Sequence, residues 1–508
     1  MKRAKYTKIV FHFFASICVL ISTNSCNKAL DINSSHLVSE ENTWKSITDT
    51  RSALLGIYGL FRAAIADNNG HWMWGELREG DFQSFVRQDL KAVNDNRLNT
   101  SYDLVNSLKS WRRFYAVINS ASLFIERAPL VLANDPQYTE NNMKIDIAQA
   151  RVLRGLAYFY MSRIWGDVPL ITKAYDNGTF PLQGKATRDE VLAFAEREIL
   201  ASANDLEYLY GVDGQNYYSY NSGRWTGALM TKNSAYAILS HIAAWRGNYI
   251  DAEAYSKFVI DNYTKSNIDY AGINDLVSPS GMFNDKNARQ IVAFNFVYAH
   301  GESSVNGHLE ELTLASPLVQ KNNPDIFVPK DTIINVFDDP LGRDIRFGVD
   351  TIAGLYRTNY FTNYTSATPI FSKIKVIRGG VTDGDYAVFG SAIIINRLED
   401  IILLRAEALT VLNRNQEALE LLNNIRTRRS LPRVSDETTE ELLKQIFAER
   451  RRELMGEGHR WYDQVRLNRL IPVNSTIVDL IQNDGIYWPI AKDVLANNSL
   501  LEQNSYWK

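Results

Sequence analysis

Between Gln149 and Leu170 the apolar positions Ala150, Leu153, Ala157, Tyr160, Met161 and Ile164 recur at spacings of three and four, which is one stripe along an amphipathic helix. Gly166 ends that helix and Pro169 forbids its resumption, so Trp165-Gly166-Asp167-Val168-Pro169-Leu170 is a fixed turn that redirects the chain. A core helix with a stop signal accounts for most of the stretch, and Arg151 and Arg154 are the cations it leaves over. An earlier helix is expected to start near Thr48, with Ala53, Ile57, Leu60, Phe61 and Ala64 as its buried stripe, and to end at Asp67-Asn68-Asn69-Gly70. Another is expected over about 107–128, with Trp111, Phe114, Tyr115, Ile118, Ala121 and Ile125 facing inward.

Two later segments repeat one pattern. Ser240 is followed twelve positions on by Ala252 across the turn Gly247-Asn248-Tyr249, and Ala406 twelve positions on by Ala418 across Asn413-Arg414-Asn415. Small residues at equal spacing let two antiparallel helices approach closely, as in tetratricopeptide units. Gly155 could play the same part in the opening stretch. Between the repeats, about 262–396, apolar runs are short and turns frequent, with Pro340-Leu341-Gly342, Gly379-Gly380 and Asp383-Gly384 as punctuation. The fold class expected is therefore mainly α, a tetratricopeptide-like helical-repeat scaffold (an α-α superhelix) carrying long loop-rich insertions and a few short strands.

Composition changes the picture at the N-terminus. Lys2, Arg3, Lys5 and Lys8 precede an apolar run from Ile9 to Ile21, then small polar residues and Cys26. That is a secretory signal, and a run of thirteen residues is too short to span a bilayer. Cys26 stands where a bacterial lipoprotein is cleaved and acylated, although Thr23 occupies the place at which a lipobox usually carries Leu. Removing residues 1–25 leaves 51 basic against 58 acidic residues, a net charge of −7, so nucleic acid is not an expected partner. Cys18 leaves with the signal, and no intramolecular disulfide or thiolate metal site can form afterwards.

The stretch His71 to Phe82 fits neither periodicity and mixes two tryptophans with charged groups and glycines. A sugar ring has a flat C–H face and a hydroxyl edge, so its receptor needs exposed aromatic faces beside polar and charged side chains. Trp72, Trp74, Arg78, Asp81 and Phe82 supply that mixture, and Tyr298, His300, Tyr356, Tyr360 and Tyr364 in the insertion add to it. In an extended segment Trp72 and Trp74 project to one side. The competing reading is that the tryptophans cover the helical core.

From Ile446 to Arg466 the chain reads IFAERRRELMGEGHRWYDQVR, a helix with Glu449 and Glu453 spaced to pair with arginines before Gly456 and Gly458 end it. Arg450-Arg451-Arg452 with Arg426, Arg428, Arg429 and Arg433 form the basic cluster, read as salt-bridged packing between C-terminal helices rather than polyanion binding. This pattern closely resembles the C-terminal "ER…EL…EG.RW.D..R" of the SusD/RagB family, and WGDVPL, the paired repeats and the leader ending at Cys26 resemble that family in the same order. The resemblance implies a cell-surface, outer-membrane lipoprotein anchored through lipid on Cys26. It implies capture of glycans, or peptides as in RagB-like members, for a SusC-like TonB-dependent transporter. It also implies a signal peptide over 1–25, an N-terminal region over 26–230 and a C-terminal region over 231–508.

No catalytic residue is assigned. His308-Leu309-Glu310-Glu311 lacks the HExxH spacing, Gly301-Glu302-Ser303-Ser304 is no nucleophile elbow, and no Gly-rich phosphate loop follows a strand. Carboxylates at Asp338/Asp339, Asp383/Asp385 or Glu310/Glu311 leave a surface glycoside hydrolase as the alternative. No cofactor or metal site is expected, although loop carboxylates leave room for a structural calcium ion without EF-hand spacing.

Overall fold

Helix α1 (Ile47–Ala66) starts where Ser46 and Asp49 close a capping box, the Asp49 carboxylate accepting from the Ser46 N–H at 2.8 Å. Its buried face is Leu54, Ile57, Phe61, Ala64 and Ile65. Leu60 is largely solvent-facing, contrary to the expected stripe, because the face follows i, i+3, i+7 from Leu54 and not from Ala53. The computed structural model describes residues 43–176, 181–212, 217–218, 228–350, 354–379, 387–435 and 437–508. The expected signal and Cys26 lie outside the described residues. Residues 1–45 and 46–508 are separate units, and everything below concerns the second.

Helix α2 (Arg112–Asn134) starts later and runs further than expected, with Phe114, Ile118, Ala121, Phe124 and Val131 buried. Helix α3 (Glu140–Trp165) is the one predicted around Ala150, and from Val152 to Trp165 every side chain is buried. An amphipathic stripe becomes buried all round when neighbours cover both flanks, here α2 and α4 (Arg188–Ser202). A Cβ at Gly155 would lie 2.7 Å from Ile199 of α4, so only glycine allows that approach. Gly166 adopts φ +76° and stops α3 as expected.

The two repeats are helical hairpins, α5 (Lys232–Arg246) with α6 (Tyr249–Asn262), and α7 (Leu398–Val411) with α8 (Asn415–Arg428). Their turns use left-handed Gly247 and Asn413. Ser240, Ala252, Ala406 and Ala418 are all fully buried. Hairpin packs on hairpin through Ala243, Ala244, Tyr249, Ala252, Leu404 and Ala408. Helices α9 (Thr439–Glu453) and α10 (Arg460–Leu470) complete the frame. Ala418→Leu should therefore overpack the second repeat and lower stability by about 1–3 kcal/mol in a denaturant titration; an unchanged midpoint would break the pairing described here.

The insertion between the hairpins contains short helices and, among the described residues, four two-stranded antiparallel sheets. One of them pairs β1 (Val292–Phe294) with β2 (Ile393–Asn396), the later strand preceding α7. It closes the insertion at its base, which lets α7 stack on α6 although more than a hundred residues separate them in sequence. A mainly α, tetratricopeptide-like scaffold with loop-rich insertions is what the chain forms.

Candidate functional site

Asn68 and Asn69 turn the chain left-handed, and Gly70–Trp72 and Met73–Leu77 then form a helical turn that widens into a π turn. At about 100° per residue, a helical backbone sets Trp72 and Trp74 about 200° apart, so the two rings share no face. The expected exposed platform is not formed. Trp72 and Trp74 are 3% and 4% exposed. The Trp72 indole donates to the Gly456 carbonyl at 3.1 Å, and that of Trp74 to the Leu108 carbonyl at 3.3 Å while its ring packs on Phe114 and Trp165.

The other residues expected there are buried as well. Arg78 stacks 4.1 Å over Trp461 and donates to the carbonyls of Gly485 and Ile486, and burial pulls its pKa down to about 9. Asp81 is clamped by Arg451 and Arg460, and Phe82 meets Phe371 edge-on. Tyr360, fully buried, lies beside Lys373 with its hydroxyl directed at the Glu453 carbonyl. All six are engaged by the protein's own groups, and the segment 70–82 is a keystone against the C-terminal motif. A Cβ at Gly75 would sit 2.0 Å from the Gly458 carbonyl oxygen, and the Glu76 carboxylate accepts from the Gly456 and Gly458 N–H groups at 2.8 and 2.9 Å.

The arginine cluster is the other half of that lock. Glu453 accepts from Arg346, Arg397 and Arg429 at 2.7–2.9 Å with every partner buried. Burial alone would raise its pKa, but the Arg429, Arg397 and Arg346 guanidiniums outweigh it and hold the group well below the carboxylate range. Glu449 is treated alike by Arg346, Arg452 and Arg426 and falls to about 2. Arg450 bridges Asp400 and Asp463, and Arg466 bridges Asp463 and Glu407. Salt-bridged packing, as read from the interleaved glutamates, is what these arginines do.

Next to the keystone, burial pushes His71 down to about 3 and His459 down to about 4, so both are neutral in the folded chain. Unfolded, they would bind protons below pH 6.5, so their contribution to stability is present above that pH and is lost as pH falls towards the folded values. Glu76, raised to about 7 by burial, has the opposite sign: its contribution is full below about pH 4.5 and lost as pH rises through 7. His71→Gln should be less stable than the parent at pH 7, and the gap should shrink by roughly 1.4 kcal/mol per pH unit between pH 6 and 4. A gap independent of pH would exclude a neutral, buried His71.

What remains open to solvent lies on loops. Tyr298 is 56% exposed, at a short 3-10 turn closed by left-handed Gly301, and Arg378 lies 5.4 Å over its ring. His300 beside it is exposed, whereas Tyr364 is buried and Tyr356 half-buried against Phe347. Phe85 and Val86 are 68% and 84% exposed, with Phe85 5.0 Å from Phe327 on a loop pinned by the Gln83–Phe327 main-chain pair. Polar contacts hold each place to the frame: Arg62 holds Glu302, Asn69 and the Gly307 N–H hold Glu311, and Arg87 reaches Asp325. Sequence reasoning missed Phe85, Val86 and Arg378. An apolar pair in the otherwise polar run Gln83-Ser84 to Arg87-Gln88-Asp89 was the available signal.

Of the carboxylates weighed for hydrolysis, Glu310, Glu311 and Asp339 are engaged by the protein's own groups, while Asp338 is exposed. Glu310 is buried, accepts from Ser391 and the Val376 N–H, and is pushed up to about 7 by burial. Asp339 is held by Arg343, and Asp383 and Asp385 lie outside the described residues. Among the described residues no group of three or more His, Cys, Asp or Glu is arranged to hold a metal ion.

Comparison with known proteins places this architecture. The SusD family model matches residues 375–507, which hold the second repeat and, Arg346 apart, the arginines of the buried network. A SusD superfamily protein of Bacteroides thetaiotaomicron is similar over 92% of this chain and all of its own, at 50% identity and a TM-score of 0.84. A SusD homolog of the same organism shares the fold at 23% identity and a TM-score of 0.74, covering 91% of this chain and 99% of its own. SusD-like protein P38 of Formosa agariphila is 26% identical over 99% of both chains. With half its residues shared across the whole length of a superfamily member, and the buried lock built from the motif that the family model matches, the chain belongs to the SusD family, generally non-catalytic, glycan-binding proteins of the outer membrane.

Proposed function

We propose that this protein captures glycans at the cell surface, anchored through lipid on Cys26, and hands them to a SusC-like TonB-dependent transporter. The observation that carries the reading is the separation of two aromatic populations. One set is locked into the keystone, and the other, Tyr298 with Arg378 and Phe85 with Val86, faces solvent on loops above that rigid frame. Loops on a rigid scaffold are the usual place for recognition, because the scaffold bears the stability and leaves the loops free to match a ligand. An exposed ring offers a C–H-binding face, and the neighbouring guanidinium, imidazole and carboxylates offer partners for hydroxyls. With Trp72 and Trp74 in the core, the insertion and the 83–87 loop take over as the binding surface.

The test joins binding to location. Phe85→Ala and Tyr298→Ala, both at exposed positions, should leave the melting curve unchanged. Together they should weaken retention on polysaccharide affinity gels about tenfold or more, at about 1 kcal/mol or more per stacked ring. Cys26→Ser should release the protein from the outer-membrane fraction, since loss of the acyl chains removes ~0.8 kcal/mol per buried CH₂. Cleavage of the polysaccharides would point instead to a hydrolase, and full retention by the double variant would remove these loops from the site.

A further inference from the structure

A cleft of about 400 Å³ opens where the C-terminal segment after Ala496 lies across the Trp165–Leu170 turn, in a different part of the fold from the loops of Tyr298 and Phe85. Trp111, Tyr115, Pro169, Ile171 and Leu501 form apolar walls. Its size and its mostly apolar lining with a few polar groups are those of a small-molecule site. The tyrosine is fixed, its hydroxyl donating to the Pro169 carbonyl at 2.6 Å.

Three of the polar residues that line it are amides, Gln183, Asn497 and Asn498, each anchored to the main chain. Gln183 donates to the Leu170 carbonyl at 2.9 Å, Asn497 to the Asp493 carbonyl at 2.7 Å, and Asn498 to the Gln183 carbonyl at 2.9 Å. One N–H of each amide is thus committed to the main chain, which orients the amide and leaves it a second N–H to donate. The side-chain carbonyl oxygens of Gln183 and Asn497 have no hydrogen-bond donor among the described residues. Among the described residues the one charged group of the lining is Arg112, which pairs at the surface with Asp493 at 3.1 Å.

We infer that this cleft is a second carbohydrate site, taking a neutral oligosaccharide, an inference that rests on the glycan-capture reading. Amides held in place offer an acceptor and a donor side by side, and sugar hydroxyls, which both donate and accept, come attached to an apolar C–H face. A hydrocarbon would leave the amide oxygens desolvated and unpaired, and an anionic sugar would find its only cation already matched.

The experiment measures binding of neutral gluco-, xylo-, manno- and galacto-oligosaccharides of three to six units to the full chain by titration calorimetry. It does so in the parent and in a Phe85→Ala/Tyr298→Ala background. In that background at least one oligosaccharide should still bind. Leu501→Trp, which fills the cleft, should weaken the remaining binding tenfold or more, and Asn497→Ala, an exposed change that leaves packing intact, should weaken it severalfold with the melting temperature unchanged. Residual binding indifferent to both cleft substitutions, or complete loss of binding in the loop variant alone, overturns the second site and leaves glycan capture standing. A parent chain that binds none of the panel overturns the second site too, and counts against glycan capture itself.

Discussion

Glu453→Gln should lower the stability of this protein by about 3–5 kcal/mol, although it removes one charge and almost no volume. Three guanidiniums, from Arg346, Arg397 and Arg429, converge on that carboxylate with no water-exposed surface between them. Each was desolvated on folding, and Glu453 is the carboxylate that all three share; without it Asp344, Glu449, Glu399 and Glu457 still pair with them singly, but the buried network carries one uncompensated positive charge. The control is Arg433→Ala, whose partner Glu420 is largely exposed, for which a change within about 0.5 kcal/mol is expected. Urea titrations of the two variants decide it: equal midpoints would mean that the buried network adds no more than a surface pair does.

Trp72→Ala should be nearly as damaging, at about 3–5 kcal/mol, the range for a buried tryptophan. The ring fills space beneath the Gly456–Gly458 turn, and its N–H satisfies the Gly456 carbonyl, so the substitution leaves both a cavity and an unpaired acceptor. A ligand platform would behave the other way, losing affinity at unchanged stability. Denaturant midpoints for Trp72→Ala beside Phe85→Ala separate the cases, because the first residue is buried and the second is not. A Trp72→Ala protein as stable as its parent would overturn the keystone.

Much of the frame was legible in the residues. Helix α3 announced itself by periodicity and by Gly166 and Pro169, and the hairpins by Ser240/Ala252 and Ala406/Ala418, because helix packing leaves a local signature every three to four residues. The spacing of Glu449 and Glu453 from arginines likewise foretold ion pairing, since residues three and four apart on a helix are neighbours whatever surrounds them. On α1 the expected Ile57, Phe61 and Ala64 are buried, but Leu54 and Ile65 join them in place of Ala53 and Leu60, an edge of the face that local pattern cannot settle when all four are apolar.

The segment 70–82 is where local reading and tertiary structure part. Its composition, with aromatics among charges and glycines, is the same whether it meets a sugar or another part of the chain. The sequence by itself determined the helical frame and the pairing chemistry of the C-terminal motif, because each depends on residues within a few turns of one another. Only the tertiary structure decided which aromatics face solvent. Burial of Trp72 depends on Gly456, and clamping of Asp81 on Arg451, nearly four hundred residues away in sequence, and the exposure of Phe85 depends on nothing covering it. Whether a ring is core or ligand surface is settled by what stands opposite, and the sequence around it carries no record of that.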